Sequence, residues 1–78
     1  SAVILAGRES DRFRFGGVAD ALALGSPGRP VDVRLFGKPG TLVNRRMGVA
    51  LALGPSVEQA RETAVACASS IAIHYGEE

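Results

Sequence analysis

Seventy-eight residues, 46% hydrophobic and 22% charged, make one small domain, too apolar to be disordered and able to bury only about 60% of its unfolded surface. The single cysteine, Cys67, excludes an intrachain disulfide framework and fits a reducing compartment; no apolar run approaches the roughly 20 residues that span a bilayer, and no signal-peptide layout opens the chain, so a soluble, cytoplasmic protein with no membrane partner is expected. The net charge of +1 conceals a basic centre, where Arg29, Arg34, Lys38, Arg45 and Arg46 face Asp32 alone, which argues for a local anion site and against a general binder of nucleic acid.

In chain order, Ala2-Val3-Ile4-Leu5-Ala6 is a short apolar run closed by Gly7 and reads as a strand. Arg12-Phe13-Arg14-Phe15 alternates with period two and ends at Gly16-Gly17, the pattern of a half-buried strand. Val18 to Leu24 suits two turns of helix, with Val18, Ala21 and Leu22 on one face and Gly25 as the stop. Residues 25–30, Gly-Ser-Pro-Gly-Arg-Pro, form a loop. Val31 to Leu35 alternates again, placing Val31, Val33 and Leu35 inward and Asp32 and Arg34 outward. Met47, Val49, Leu51 and Leu53 define the next strand, and the small residues Gly48, Ala50 and Ala52 between them imply that its second face is also closely covered.

Gly54-Pro55 break that strand, and Ser56 then serves as an N-cap with Gln59 at the capping-box spacing. Glu58 in the first turn complements the helix dipole. The helix is expected over residues 56–70, with Val57, Ala60, Ala64, Cys67, Ala68 and Ile71 on one alanine-rich stripe that lies close to a sheet. Ile71 to Tyr75 reads as a closing strand, and Glu77-Glu78 as a solvated tail. The order predicts an α+β fold, mainly antiparallel β with one long C-terminal helix, and is compatible with a ferredoxin-like split βαβ arrangement.

Most conspicuous side chains have structural readings. His74 has no second ligand or catalytic partner at a useful spacing, and Cys67 on the alanine stripe is a small core residue with no base in view. Gly16-Gly17 fits neither the dinucleotide nor the P-loop spacing. Phe13 and Phe15 lie between arginines but lack the RNA-binding sheet consensus, which favours core packing. Lys38, Arg45 and Arg46 stand apart. Lys38 is held at a turn between Gly37 and Pro39, and two arginines open the following strand. A solvated basic rim is the plain reading; the alternative is a cluster for phosphate or carboxylate, which suits the planar fork of arginine and the point charge of lysine. Were the strand regular from Arg45 onward, successive side chains would point to opposite faces, so one arginine would meet the ligand while the other braces the loop.

The run Arg34-Leu35-Phe36-Gly37-Lys38-Pro39, followed by Arg45-Arg46-Met47-Gly48-Val49-Ala50-Leu51-Ala52, resembles the C-terminal domain of formate-dependent phosphoribosylglycinamide formyltransferase, an ATP-grasp enzyme of purine biosynthesis. The likeness extends from Ser1-Ala2-Val3-Ile4-Leu5 to the last helix and strand. The loop at residues 25–30 is longer than that pattern, and residues 40–44 lack its acidic character. The resemblance implies a rudimentary single-hybrid, barrel-sandwich-like domain in which Lys38, Arg45 and Arg46 bind glycinamide ribonucleotide. It implies that ATP and Mg2+ sit in upstream ATP-grasp domains of a full-length homodimer, where formate becomes formyl phosphate and is captured by the glycyl amine. The isolated chain is then expected to hydrolyse no ATP. The last domain of the ATP-grasp enzyme that carboxylates aminoimidazole ribonucleotide is built alike, and a free-standing anion- or RNA-binding module is the alternative of another class.

Overall fold

The computed structural model describes residues 1–76, and the acidic pair Glu77-Glu78 lies outside the described residues. Strands β1 (Ala2–Leu5), β3 (Val31–Leu35) and β4 (Arg46–Ala52) form an antiparallel sheet in the order β1-β4-β3, while β2 (Phe13–Gly16) and β5 (Ala72–Tyr75) form a separate antiparallel ribbon. Two helices complete the fold, α1 (Val18–Leu22) and α2 (Val57–Ser70). The α+β, mainly antiparallel expectation holds. The split βαβ alternative does not, because its strands would share one sheet and α1 has only 5 residues.

Ser56 caps α2 as the sequence predicts: its Oγ accepts the Gln59 N–H at 3.1 Å, satisfying one of the donors that a helix start leaves free. The helix packs on β4, β1 and β3, over the face that carries Ile4 and Ala50. Ile4, Ala21, Ala50, Cys67 and Ile71 form the buried cluster, with Phe15, Val18, Val31, Val33, Ala68 and Ile73 against it. Ala50 on β4 lets the helix approach closely, whereas a Cβ on Gly48 would meet Leu35, Ile4 and the Arg34 carbonyl on the neighbouring strands. Hence the small-residue face of β4 is the one beneath the helix, while Val49 and Leu51 point to the opposite face and stay half-buried. That second face has no helix over it, contrary to the expectation of close cover on both sides, although Met47 is fully buried.

Several boundaries shift by a residue or two. The short helix ends at Leu22 rather than Leu24, with Ala23 as C-cap. Ile71 caps α2, so the closing strand starts at Ala72. Leu22, expected on the packed face of α1, is exposed, and three further apolar residues placed inside by periodicity are exposed too: Val57 in the first turn of α2, Leu53 just past the end of β4, and Leu35 at the end of β3. These sit at element ends, where the repeat continues in sequence after the covering element has stopped. Gly17 has a structural reason of its own. It turns the chain from β2 into α1 at φ 77°, and a Cβ there would run into the carbonyl oxygen of Ser70 at the end of α2.

Candidate functional site

The β3–β4 connection carries the three cations singled out by the sequence. The ladder runs one residue beyond β3, since the Phe36 N–H donates to the Met47 carbonyl at 2.8 Å. The chain then turns tightly: the Lys38 N–H donates to the Phe36 carbonyl at 3.0 Å, and Pro39 follows with no N–H to continue the ladder. Lys38 is exposed, its ammonium 6.0 Å from the centroid of the Phe36 ring, at the outer limit of a cation–π contact.

The return limb is held from the other side, by β1. The Asn44 N–H donates to the Ala6 carbonyl at 2.8 Å, and the Ala6 N–H donates to the Arg45 carbonyl at 2.9 Å. Asn44 takes a left-handed φ of 65°, a conformation that asparagine tolerates better than most side chains. Arg45 is half-buried, and its Nη1 donates to the Gly40 carbonyl at 3.3 Å. Arg46 opens β4 opposite Leu5, where the pairing with β1 is irregular, and is exposed. Among the described residues, neither Lys38 nor Arg46 makes a side-chain hydrogen bond or an ion pair. The strand is not regular from Arg45, since β4 begins at Arg46 with an irregular pairing, yet the two arginines still differ: Arg45 braces the loop, and Arg46 faces solvent with its donors free. Arg45 spends one N–H on Gly40 and retains four of the five donors of a guanidinium.

A second loop, residues 7–11, meets this one, and no motif in the sequence marks it. Ser10 and Thr41 exchange backbone hydrogen bonds, Ser10 N–H to Thr41 O at 3.1 Å and Thr41 N–H to Ser10 O at 2.6 Å. Glu9, Ser10 and Asp11 line a shallow recess with Pro39, Gly40, Thr41, Leu42 and Arg45. The only hint was chemical: a threonine in a glycine-flanked loop must find partners if it is buried.

The remaining candidates take their structural readings. The Cys67 thiol is buried beneath α1, donates to the Ala21 carbonyl at 3.3 Å, and has its pKa pushed up by that burial. His74 is half-buried on β5 opposite Arg14. The Phe13 and Phe15 rings meet edge to face at 5.5 Å, and both are half-buried. Arg34 contacts Asp32 at 3.5 Å on an exposed face, and Arg29 closes a tight turn with Ser26.

Residues 1–71 match the family described as PurT, C-terminal. The chain is 49% identical over 77 residues to the formate-dependent phosphoribosylglycinamide formyltransferase of Erythrobacter litoralis, covering 99% of the chain and 18% of that relative. It is 52% identical over 71 residues to the protein of the same name from Burkholderia vietnamiensis, covering 91% of the chain and 17% of the relative. For the Rhodococcus jostii protein of that name the identity is 49% over 71 residues. The chain thus spans less than a fifth of the length of these relatives.

Proposed function

The chain belongs to the PurT C-terminal family, and on that premise we propose that it is the substrate-holding C-terminal domain of a formate-dependent glycinamide ribonucleotide formyltransferase. Lys38, Arg45 and Arg46 grip the 5'-phosphate of the ribonucleotide. One observation carries this: among the described residues Lys38 and Arg46 have no ionic partner, and they stand at the same end of the β3–β4 hairpin as the braced Arg45. Charge-assisted and partly bidentate bonds to a dianion suit that set, and a fixed phosphate end holds the glycyl amine where formyl transfer occurs.

The described residues include no group of three or more His, Cys, Asp or Glu side chains that could hold a metal ion. Because more than four fifths of each relative lies outside the matched segment, we assign Mg2+ and ATP, with the activation of formate to formyl phosphate, to the remainder of a cytoplasmic, homodimeric enzyme. The half-buried Val49 and Leu51, with Val3 beside them on the uncovered sheet face, are the surface we assign to that remainder, since more than four fifths of each relative lies beyond the matched segment.

In the full-length enzyme carrying this domain, Lys38→Ala, Arg45→Ala and Arg46→Ala are expected to raise the KM for the ribonucleotide roughly 10- to 150-fold, with the KM for ATP little changed, as loss of a charged hydrogen bond implies. Arg29→Ala and Arg34→Ala are the controls and should leave both constants near the parent values. Equal losses at all five positions would indicate a diffuse field instead of a site. No change at the three motif positions would refute the phosphate grip.

A further inference from the structure

We propose that Thr41 is a positioning residue for the anion site, acting through Gly40 on Arg45; the inference rests on the phosphate reading above. Thr41 is 2% exposed, the one buried polar residue among the described residues. Its hydroxyl donates to the Arg8 carbonyl at 2.8 Å, with the Ser10 carbonyl at 3.3 Å as a secondary acceptor for the same proton. Together with the paired backbone bonds between Ser10 and Thr41, this clasps the cation-bearing loop to the loop of residues 7–11.

That second loop is itself anchored. The Gly7 N–H donates to the Tyr75 hydroxyl at 2.7 Å, and the Arg8 guanidinium lies 5.0 Å from the Tyr75 ring centroid. Ser10 Oγ donates to the Arg12 carbonyl at 2.6 Å and accepts the Arg12 N–H at 3.1 Å. Position is therefore passed from β5 to residues 7–10, on to Thr41, and then to its neighbour Gly40, whose carbonyl receives the Arg45 guanidinium at 3.3 Å. Gly40 must lie this close. A Cβ there would stand 2.7 Å from the Ser10 carbonyl oxygen, so any larger residue forces the two loops apart.

Removing the hydroxyl takes away the Thr41 bond to the Arg8 and Ser10 carbonyls and loosens the clasp, so the Gly40 carbonyl no longer holds Arg45 in a fixed pose. The loss falls on binding of the phosphate end, since Thr41 touches no reacting atom. In the full-length enzyme, Thr41→Val should raise the KM for the ribonucleotide about 10-fold, the scale of one lost hydrogen bond, while kcat and the KM for ATP stay near the parent values. Thr41→Ser keeps the hydroxyl and should restore most of the affinity. Gly40→Ala opens the same clasp by another route and should reproduce the Thr41→Val effect, which keeps the test available if Thr41→Val fails to fold. Because Thr41 acts through Arg45, adding Thr41→Val to Arg45→Ala should raise the KM no further. An unchanged ribonucleotide KM in Thr41→Val and Gly40→Ala, with Arg45→Ala still impaired, would overturn the positioning role and leave the phosphate reading standing. No impairment in Arg45→Ala, Arg46→Ala or Lys38→Ala would sink that reading itself.

Discussion

The core beneath α2 and the clasp between residues 7–11 and 37–45 are held by different forces. The core joins Ile4, Ala21, Ala50, Cys67 and Ile71 by burial of apolar area, which is non-directional and sums over many small contacts. The clasp is almost entirely polar: paired backbone bonds at Ser10 and Thr41, a buried hydroxyl, and a guanidinium on a carbonyl. Hydrogen bonds set direction and register, so the clasp defines where its cations stand more sharply than hydrophobic contact would. The lesson is a division of labour, in which the core supplies stability and the clasp supplies position. Core changes should therefore move the unfolding transition, and changes at the cations should move binding.

The largest expected effect is on stability, at the turn from β2 into α1. Gly17→Ala forces a left-handed backbone onto alanine and drives its Cβ into the Ser70 carbonyl. Strain and overpacking together imply a loss on the order of 3 kcal/mol, read as a fall in the unfolding midpoint of the chain. For a domain of this size that is a large share of the total. A full-length enzyme carrying Gly17→Ala should keep its ribonucleotide KM in the folded fraction. An unshifted midpoint, or a raised KM at full stability, would break the division.

The same division explains what was legible in the sequence. Period two gave the strands and the alternation of Val31, Val33 and Arg34, and the Ser56–Gln59 spacing gave the start of α2, because covered faces repeat. The cation positions Lys38, Arg45 and Arg46 were readable through the motif and its turn residues. The loop at residues 7–11 was not, since its partnership with Thr41 is made by backbone groups that every residue type possesses. Which face of β4 the helix covers was also hidden: Met47, Val49, Leu51 and Leu53 looked like the inner row, yet the row of Ala50 is the one beneath α2. Periodicity reports that two faces differ, but not which one a neighbour will cover.

A smaller effect belongs to the helix start. Ser56→Ala removes the oxygen that accepts the Gln59 N–H, and should cost about 1 kcal/mol. Thermal unfolding of the chain checks it, with Ser56→Asp expected to retain most of the stability because aspartate caps as well and complements the dipole. A loss in Ser56→Asp as large as in Ser56→Ala would show that α2 depends on packing alone.

Smaller still is a pH effect inside the core. Burial raises the Cys67 pKa above that of an exposed thiol, so the folded chain keeps its proton where the unfolded chain would release it. The contribution is intact below the unfolded thiol's pKa and is lost as pH rises through the folded value. Stability should therefore fall on the alkaline side, and Cys67→Ala, although less stable at neutral pH, should show a shallower alkaline decline in unfolding free energy. Parallel declines for the two proteins would remove Cys67 as the cause.

The smallest effect is expected at Arg34, and its smallness is informative. Arg34 is a permanent cation only a few residues from Lys38, so a purely long-range attraction for phosphate would count it as a contributor. Its Nε lies 3.5 Å from an oxygen of Asp32, and both side chains are more than half exposed. An exposed pair of this kind is worth about 0–1 kcal/mol, and its own field is largely cancelled by its partner. Strand alternation also turns Arg34 onto the face that carries Val49, whereas Lys38 leaves the strand at a turn. Arg34→Ala should thus barely move either the unfolding midpoint or the ribonucleotide KM, at low salt as well as high. A rise in KM that disappears as ionic strength increases would instead mark Arg34 as part of a screened, diffuse field, and the sharp boundary between clasped cations and the remaining basic surface would have to be given up.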